Sequence, residues 1–256
     1  VKISIALCTY NGEGYLHGQL QSYLRQSRLP DEVIICDDAS ADSSPDILHD
    51  FAHSAPFSVK VVCDDTTLGS TKNFERAISM CSGDIILLSD QDDVWLPNKI
   101  QRFEQAFTDH PQAGIAISDA ALVDAALNPM NKTNWDVIFR ARRFIRHQHE
   151  PGKIFTLLLK NNFFTGSSMG IRSTLRPQLM PFSARWVHDG WIAIIGSTIT
   201  HFAFINEPLT LYRQHEGNQI GVMNESVFAI CWQGLHLPRQ AYAEFAATFE
   251  DVANHL

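Results

Sequence analysis

Three carboxylates within four residues, Asp90, Asp92 and Asp93 in the run Asp90-Gln91-Asp92-Asp93-Val94-Trp95, are the side chains of this protein best suited to chemistry. Like charges held this close repel one another, and a hard divalent cation such as Mn²⁺ or Mg²⁺ relieves the repulsion by taking oxygen ligands. The acids follow the apolar run Ile85-Ile86-Leu87-Leu88, itself bounded in front by Gly83-Asp84. That pattern reads as a buried strand delivering the acids to its carboxyl end. Ligands of open α/β sheets bind at that end. Taken alone, the same residues also fit an acidic loop spread apart by water, because a short D-x-D motif has a high false-positive rate.

The elements that must position such a loop are visible in the first half. Residues 3–8, 33–36, 59–62 and 85–88 form short apolar runs. Each is followed by helical spacing: Leu16, Leu20 and Leu24; residues 45–51; Phe74, Ala77, Ile78 and Cys81; Ile100, Phe103 and Phe107. Four strand–helix units in succession predict an α/β protein with a Rossmann-like, mostly parallel sheet flanked by helices on both faces. Ser43 or Ser44 ahead of Pro45, and Ser70 or Thr71 ahead of Asn73, mark helix starts. One rim of the sheet then collects Thr9-Tyr10-Asn11, Asp37-Asp38, Asp64-Asp65 and the 90–93 acids.

Beyond residues 115–118 the alternation weakens, and 128–149 shows no clear period, so this stretch is expected to cover or border the site. Residues 167–171 and 199–205 read as further strands, and 189–195 as a helix opening after Trp186-Val187-His188. After Gly221 the pattern is mainly helical, with Tyr242, Phe245, Phe249, Val252 and Leu256 on one face, a stripe expected in a core or subunit contact.

Composition narrows the function. A net charge of −8 over 256 residues argues against a nucleic-acid binder. The five cysteines, Cys8, Cys36, Cys63, Cys81 and Cys231, form no C-x-x-C pair and read as reduced, buried thiols of a cytoplasmic protein. No run approaches the roughly 18 apolar residues of a membrane span, and nothing reads as a signal peptide. One segment stands apart: Arg140, Arg142, Arg143 and Arg146, with His147 and His149, lie beside Phe139, Phe144 and Ile145. It fits a solvated loop, or peripheral contact with an anionic membrane face or a lipid diphosphate.

Seven motifs in order carry a resemblance. They are Cys8-Thr9-Tyr10-Asn11-Gly12, the stretch from Asp37-Asp38-Ala39-Ser40 to Asp42, and Leu68-Gly69 with Asn73; then Ser82-Gly83-Asp84 leading into the 90–95 run, and Gly166-Ser167-Ser168-Met169; then His188-Asp189-Gly190-Trp191, and Leu211-Tyr212-Arg213-Gln214-His215 with Asn218. Together they resemble the family 2 inverting glycosyltransferases of the GT-A fold, and look most like the bacterial rhamnosyltransferase-like branch. The resemblance runs from Val1 to about Gly221. It implies a GT-A domain over residues 1–221, divided into a nucleotide-sugar half (1–118) and an acceptor half (119–221), with a helical C-terminal extension at 222–256.

What the resemblance implies at each position has a physical reason. Displacing a nucleoside diphosphate builds charge on the leaving phosphate, which a divalent cation stabilises. Asp92 is the first choice of direct ligand, with Asp90 and Asp93 supporting it or holding the sugar, and His215 completes the metal or diphosphate site. Asp38, or alternatively Asp37, accepts from a pyrimidine imide, with Thr9, Tyr10, Asn11, Asn73 and Asp90 lining the nucleotide pocket. An Asp pair after a strand also suits capping of the next segment. Asp189 is the candidate base, able to take the acceptor's proton and favoured in ionised form at a helix start. Gly166, Ser167, His188, Trp191, Asp93 and Trp95 are assigned to the donor or acceptor sugar, although both tryptophans also fit a core.

The implied reaction is transfer of a sugar, from dTDP-rhamnose or a UDP-hexose, to a hydroxyl of a surface-glycan or lipid-linked acceptor. A dinucleotide-binding reading fails because His17 stands where the third glycine after Gly12 and Gly14 belongs. A sugar-nucleotide pyrophosphorylase would carry a glycine-rich, basic loop where this chain has Tyr10-Asn11-Gly12-Glu13-Gly14. A non-catalytic module that only binds nucleotide sugar or glycan would have no need of Asp189.

Overall fold

The computed structural model describes residues 1–137, 153–158, 164–215 and 239–256. Its first half alternates β1 (Ile3–Thr9), α1 (Glu13–Leu24), β2 (Glu32–Asp37), α2 (Ser44–Ser54), β3 (Ser58–Cys63), α3 (Ser70–Met80) and β4 (Ile85–Ser89), followed by the short β5 (Val94–Trp95) and α4 (Lys99–Asp109). The second half adds β6 (Ala113–Val123), β7 (Pro129–Thr133), α5 (Asn134–Val137), α6 (Lys153–Leu158), β8 (Met169–Arg172), α7 (Arg176–Leu179), α8 (His188–Ile199), β9 (His201–Arg213) and α9 (Arg239–His255).

Strand alternation divides the core into two layers. On β1, Ile3, Ile5 and Leu7 pack with Leu16 and Leu20 of α1, Leu48 of α2, and Ile100 and Phe103 of α4. Ala6 and Cys8, pointing the other way, join Phe74 and Ile78 of α3 and the apolar side of α8. A sheet buried on both faces needs near-continuous apolar strands, which β1, β2 and β4 supply.

The strand order is β3-β2-β1-β4-β8-β6-β9-β5, with β7 set against β6. β1 to β4 are parallel, as expected. β8 then enters antiparallel between β4 and β6, and β9 runs parallel to β6 before its end pairs antiparallel with β5. The last part of β9 is thereby brought beside the acidic segment that follows β4.

Several expected boundaries move. The strand expected at 167–171 begins at Met169, because Gly166–Ser168 is a 3₁₀ turn closed by Ser168 N donating to Thr165 O at 3.0 Å. The strand expected at 199–205 begins after α8 ends and continues to Arg213. Within 128–149, the described part contains β7 and α5; the remainder, including the Arg140 to Arg146 cluster, lies outside the described residues, as do Asn218 and Cys231. On α9, Val252 is buried but Leu256 is 61% exposed, so the expected apolar face does not extend to the last residue. Cys63 is exposed, unlike the buried Cys8, Cys36 and Cys81. Among the described residues no helix is long and apolar enough to cross a membrane.

The amino ends of β1 and β2 are fastened by one carboxylate. Glu32 accepts from Ser4 Oγ (2.5 Å), Ser82 N (2.5 Å), Ser82 Oγ (2.7 Å) and Lys2 Nζ (3.3 Å). Burial works against its charge, but the hydrogen bonds outweigh burial and bring the carboxyl from 4.5 down to about 2. A depressed folded-state pKa stabilises the fold above the unfolded value, and the contribution fades as pH falls through the folded one. Glu32→Gln is therefore expected to lower stability at neutral pH by on the order of 2 kcal/mol. Urea titrations of the two proteins should converge between pH 4.5 and about 2. A gap independent of pH would contradict this assignment.

Candidate active site

The rim at the carboxyl ends of β1 and β2 is built from its own hydrogen bonds. Thr9 Oγ1 donates to Asp37 Oδ2 at 2.6 Å, and Ser40 donates to the same carboxylate from N and Oγ at 2.9 and 2.7 Å. Asn11, at φ +47°, donates from N to Ser40 Oγ and accepts from Ala41 N through Oδ1. Asp38 accepts from Leu68 N at 2.6 Å and Gly69 N at 3.0 Å, where α3 begins. Asn73 Nδ2 reaches Cys36 O at 2.8 Å.

Thr9, Asp37, Asp38 and Asn73 are buried and brace the turns of this rim, the capping role that an Asp pair also suited. Tyr10, 50% exposed, and Asn11 are the members of the expected nucleotide set that face solvent.

The acidic loop is anchored from both sides. Gln91 turns back to β1, accepting from Tyr10 N at 2.7 Å and donating to Tyr10 O at 3.0 Å. A Cβ at Gly12 would lie 2.4 Å from Gln91 Oε1, so a larger residue there has to move the Gln91 side chain off Tyr10. From β9, Arg213 donates through N to Asp93 Oδ1 at 3.0 Å and through Nε to Asp92 O at 2.7 Å, and its Nη1 reaches Ala125 O. The guanidinium lies 5.0 Å from the Tyr15 ring, which stacks on His215 at 4.6 Å. His215 Nε2 meets Asp92 Oδ2 at 2.8 Å. Asp92 and His215, both assigned to the metal site, thus touch each other.

The charge of the base candidate is felt at the same loop. Loss of hydration, then the Asp93, Asp92 and Asp189 carboxylates, push the Asp90 carboxyl well above its ordinary range. Asp93 is fully buried; burial first, and Asp92 second, raise it to about 7. Its Oδ2 has no hydrogen-bond partner among the described residues, and the Ser167 hydroxyl lies near enough to favour the ionised form without a bond of ordinary geometry. Tyr212 is pushed up by burial and by the fields of Asp93, Asp90, Asp92 and Asp189.

Asp189 opens α8, with Oδ1 accepting from Gly190 N at 2.5 Å and Oδ2 from Gly166 N at 3.1 Å. Two backbone donors hold the carboxylate in one orientation and favour its charge. His188 points away and stacks on Phe74 at 3.6 Å. Burial lowers its pKa to about 3, so the imidazole is neutral in any working buffer. Both of its ring nitrogens are buried without a partner among the described residues.

The two tryptophans lie deeper than a sugar-stacking role requires. Trp95 is 2% exposed and meets Tyr23 edge-on at 4.9 Å; Trp191 is 1% exposed and donates from Nε1 to Leu179 O. Both belong to the core, the alternative their sequence context left open, and neither presents a ring face to a sugar.

A known family matches this arrangement of strands and acids. The model for glycosyl transferase family 2 matches residues 4–174. The chain belongs to that family. Among curated relatives, a dTDP-rhamnosyl transferase of Shigella flexneri is 28% identical over 233 residues, covering 84% of this chain and 73% of its own length. An uncharacterized glycosyltransferase of Nostoc sp. is 30% identical over 115 residues, 45% of this chain and 35% of the relative. Among solved structures, a mannosyltransferase of Pyrobaculum calidifontis in complex with GDP-Man and Mn²⁺ superposes with a TM-score of 0.66 at 16% identity, over 85% of this chain and 58% of that one. S. aureus TarS in complex with UDP-GlcNAc gives 0.65 at 16% identity, over 89% and 62%. The fold is the GT-A-like one that the motifs implied. This family 2 chain spans about a third of the Nostoc relative and about 60% of both solved neighbours.

Tyr15 and Lys99 are site-forming residues outside the sequence motifs, while Gln91, Tyr212 and Arg213 lie inside motifs but had no role assigned to them. A signal existed for Lys99: a cation at the first position of a helix opposes the helix dipole, and a locally unfavourable choice marks a site under another constraint. The tight packing of the site yields a direct prediction. A Cβ at Gly166 would lie 2.3 Å from His188 Nε2, so Gly166→Ala has to displace the ring beside Asp189. Urea denaturation should show a loss of about 1–3 kcal/mol. A fully stable variant would mean that the 166–168 turn can yield.

Proposed function

We propose that this chain transfers a sugar from a nucleoside-diphosphate donor to an acceptor hydroxyl with inversion at the anomeric carbon. The observation that supports it most is that Asp189, from α8, is held by the N–H of Gly166, in the turn whose Ser167 carbonyl is tied to Lys99 just after the acidic run. Binding a nucleotide sugar alone requires no carboxylate so placed.

A divalent cation fits the residues present. The described residues do not gather three His, Cys, Asp or Glu side chains into one cluster, but Asp92 and His215 are in contact and neighbouring carboxylates repel one another. Mn²⁺ or Mg²⁺ is commonly held by one or two carboxylates with substrate phosphates supplying further oxygens. Asp92 and His215 are the residues to hold it here, and when bound the ion offsets charge growing on the leaving diphosphate. Asp189 accepts the proton of the attacking hydroxyl, its carboxylate kept charged and oriented by Gly166 N and Gly190 N. The burial of the Asp93 and Ser167 side of the site limits access of water.

The donor classes proposed are dTDP-rhamnose and a UDP-hexose, and the acceptor a surface glycan or lipid-linked glycan. The Shigella flexneri relative is a dTDP-rhamnosyl transferase, and an Escherichia coli relative, 28% identical over 99 residues, is a UDP-Glc:alpha-D-GlcNAc-diphosphoundecaprenol beta-1,3-glucosyltransferase. Action on a lipid-linked acceptor would put the protein at the cytoplasmic face of a membrane.

Two experiments test the reading. Calorimetric titration with UDP and dTDP should show binding with Mn²⁺ that EDTA removes and Asp92→Ala abolishes; nucleotide binding indifferent to both would refute the metal assignment. Asp189→Asn should leave that binding intact while slowing transfer by about 10²–10⁴-fold. Transfer at the full rate would remove Asp189 from the mechanism.

A further inference from the structure

Lys99 is fully buried at the start of α4, and its ammonium makes three contacts. It donates to Ser167 O, to Thr210 Oγ1 at 2.8 Å, and sits 3.9 Å over the Trp95 ring. An ammonium has three donors and no acceptor, so these contacts account for the whole group. Thr210 Oγ1 also donates to Ser167 O at 3.2 Å, so one carbonyl is gripped by two side chains. Ser167 belongs to the Gly166–Ser168 turn, and the preceding residue, Gly166, donates its N–H to Asp189 Oδ2. At the other end, Lys99 N donates to Leu96 O, and Trp95 closes the acidic run of residues 90–95.

We propose that Lys99 is a positioning residue that ties the acidic loop to the base: through Ser167 O it fixes the turn whose Gly166 N–H orients the Asp189 carboxylate. The proposal rests on the reading of Asp189 as the base. A buried cation is costly, and burial lowers the Lys99 ammonium from its usual range, with Asp93 and Asp90 acting in the opposite sense. Methionine would fill much of the same volume without that cost. The ammonium adds directed donors, and the place they are directed to is the turn beneath the base. A plain charge-balancing role toward Asp93 would leave the Thr210 hydroxyl without importance, which separates the two explanations.

The test compares Lys99→Met, Thr210→Val and Thr210→Ser with the unaltered chain. Thr210→Val removes the second grip on Ser167 O without touching any charge, and Thr210→Ser keeps it. The proposal expects amide hydrogen exchange to rise selectively in residues 164–170 for Lys99→Met and Thr210→Val, with α8 and β1 unchanged and Thr210→Ser like the parent. Release of nucleoside diphosphate from dTDP-rhamnose or UDP-glucose with Mn²⁺ should fall in kcat by about 10²-fold for Lys99→Met, at nearly constant donor KM, because a displaced catalytic group costs about that much. Exchange that rises everywhere, or an undisturbed 164–170 segment in both variants, would overturn the proposal. If the unaltered chain releases neither nucleotide while the exchange pattern holds, the transferase reading fails and the brace stands.

Discussion

Mutual repulsion among Asp90, Asp92, Asp93 and Asp189 is the constraint around which the rest of this structure is arranged. Carboxylates that lose water and stand in one another's fields are costly to ionise, and Asp90 and Asp93 are raised by burial first and by neighbouring acids second. The fold answers with directed partners more than with bulk solvent. Arg213 takes Asp93 by its backbone N–H and the Asp92 carbonyl by its guanidinium, His215 meets the Asp92 side chain, and Gly166 and Gly190 hold Asp189. A cation with a diphosphate has the right chemistry to offset the acidic charge that remains at this rim.

Topology decides which partners are available. β4 lies in the interior of the sheet, so its carboxyl end is flanked on one side by the β1 rim and on the other by β8 and the 3₁₀ turn that precedes it. β9 is long enough to pair with β6 along its length and then with β5, which carries Arg213 across to the acidic loop. The antiparallel insertion of β8 is thus what allows a turn from the second half of the chain to sit beneath acids from the first. A purely parallel doubly wound sheet would have left the base and the acidic loop on separate connections.

The acidic loop was legible because everything needed to see it is contiguous: an apolar strand, then charged residues within one turn of chain. The same holds for the four strand–helix units, whose periodicities are local. The supports were not legible, because their partners are remote in sequence: Ser167 and Thr210 stand 68 and 111 residues from Lys99, and Arg213 stands 120 from Asp93. Trp95 and Trp191 show how adjacency to a motif misleads. In the two-residue β5 strand, pleating turns Trp95 inward while the acids before it face the rim. Asp38 shows the converse: its place in a motif was evident, but only the three-dimensional contact with Leu68 and Gly69 reveals that backbone amides already occupy its oxygens.

The central claim is that the clustered acids form a metal-assisted diphosphate site opposed by the Asp189 base. It is tested most directly by a crystal structure grown with Mn²⁺ and UDP or dTDP, with the ion located by its anomalous scattering. The account predicts one manganese bound to Asp92 and His215, in place of their contact with each other, with diphosphate oxygens on its open side and Asp189 across the pocket. A nucleotide seated at the rim with no ion at Asp92, or an ion bound away from these acids, would contradict it.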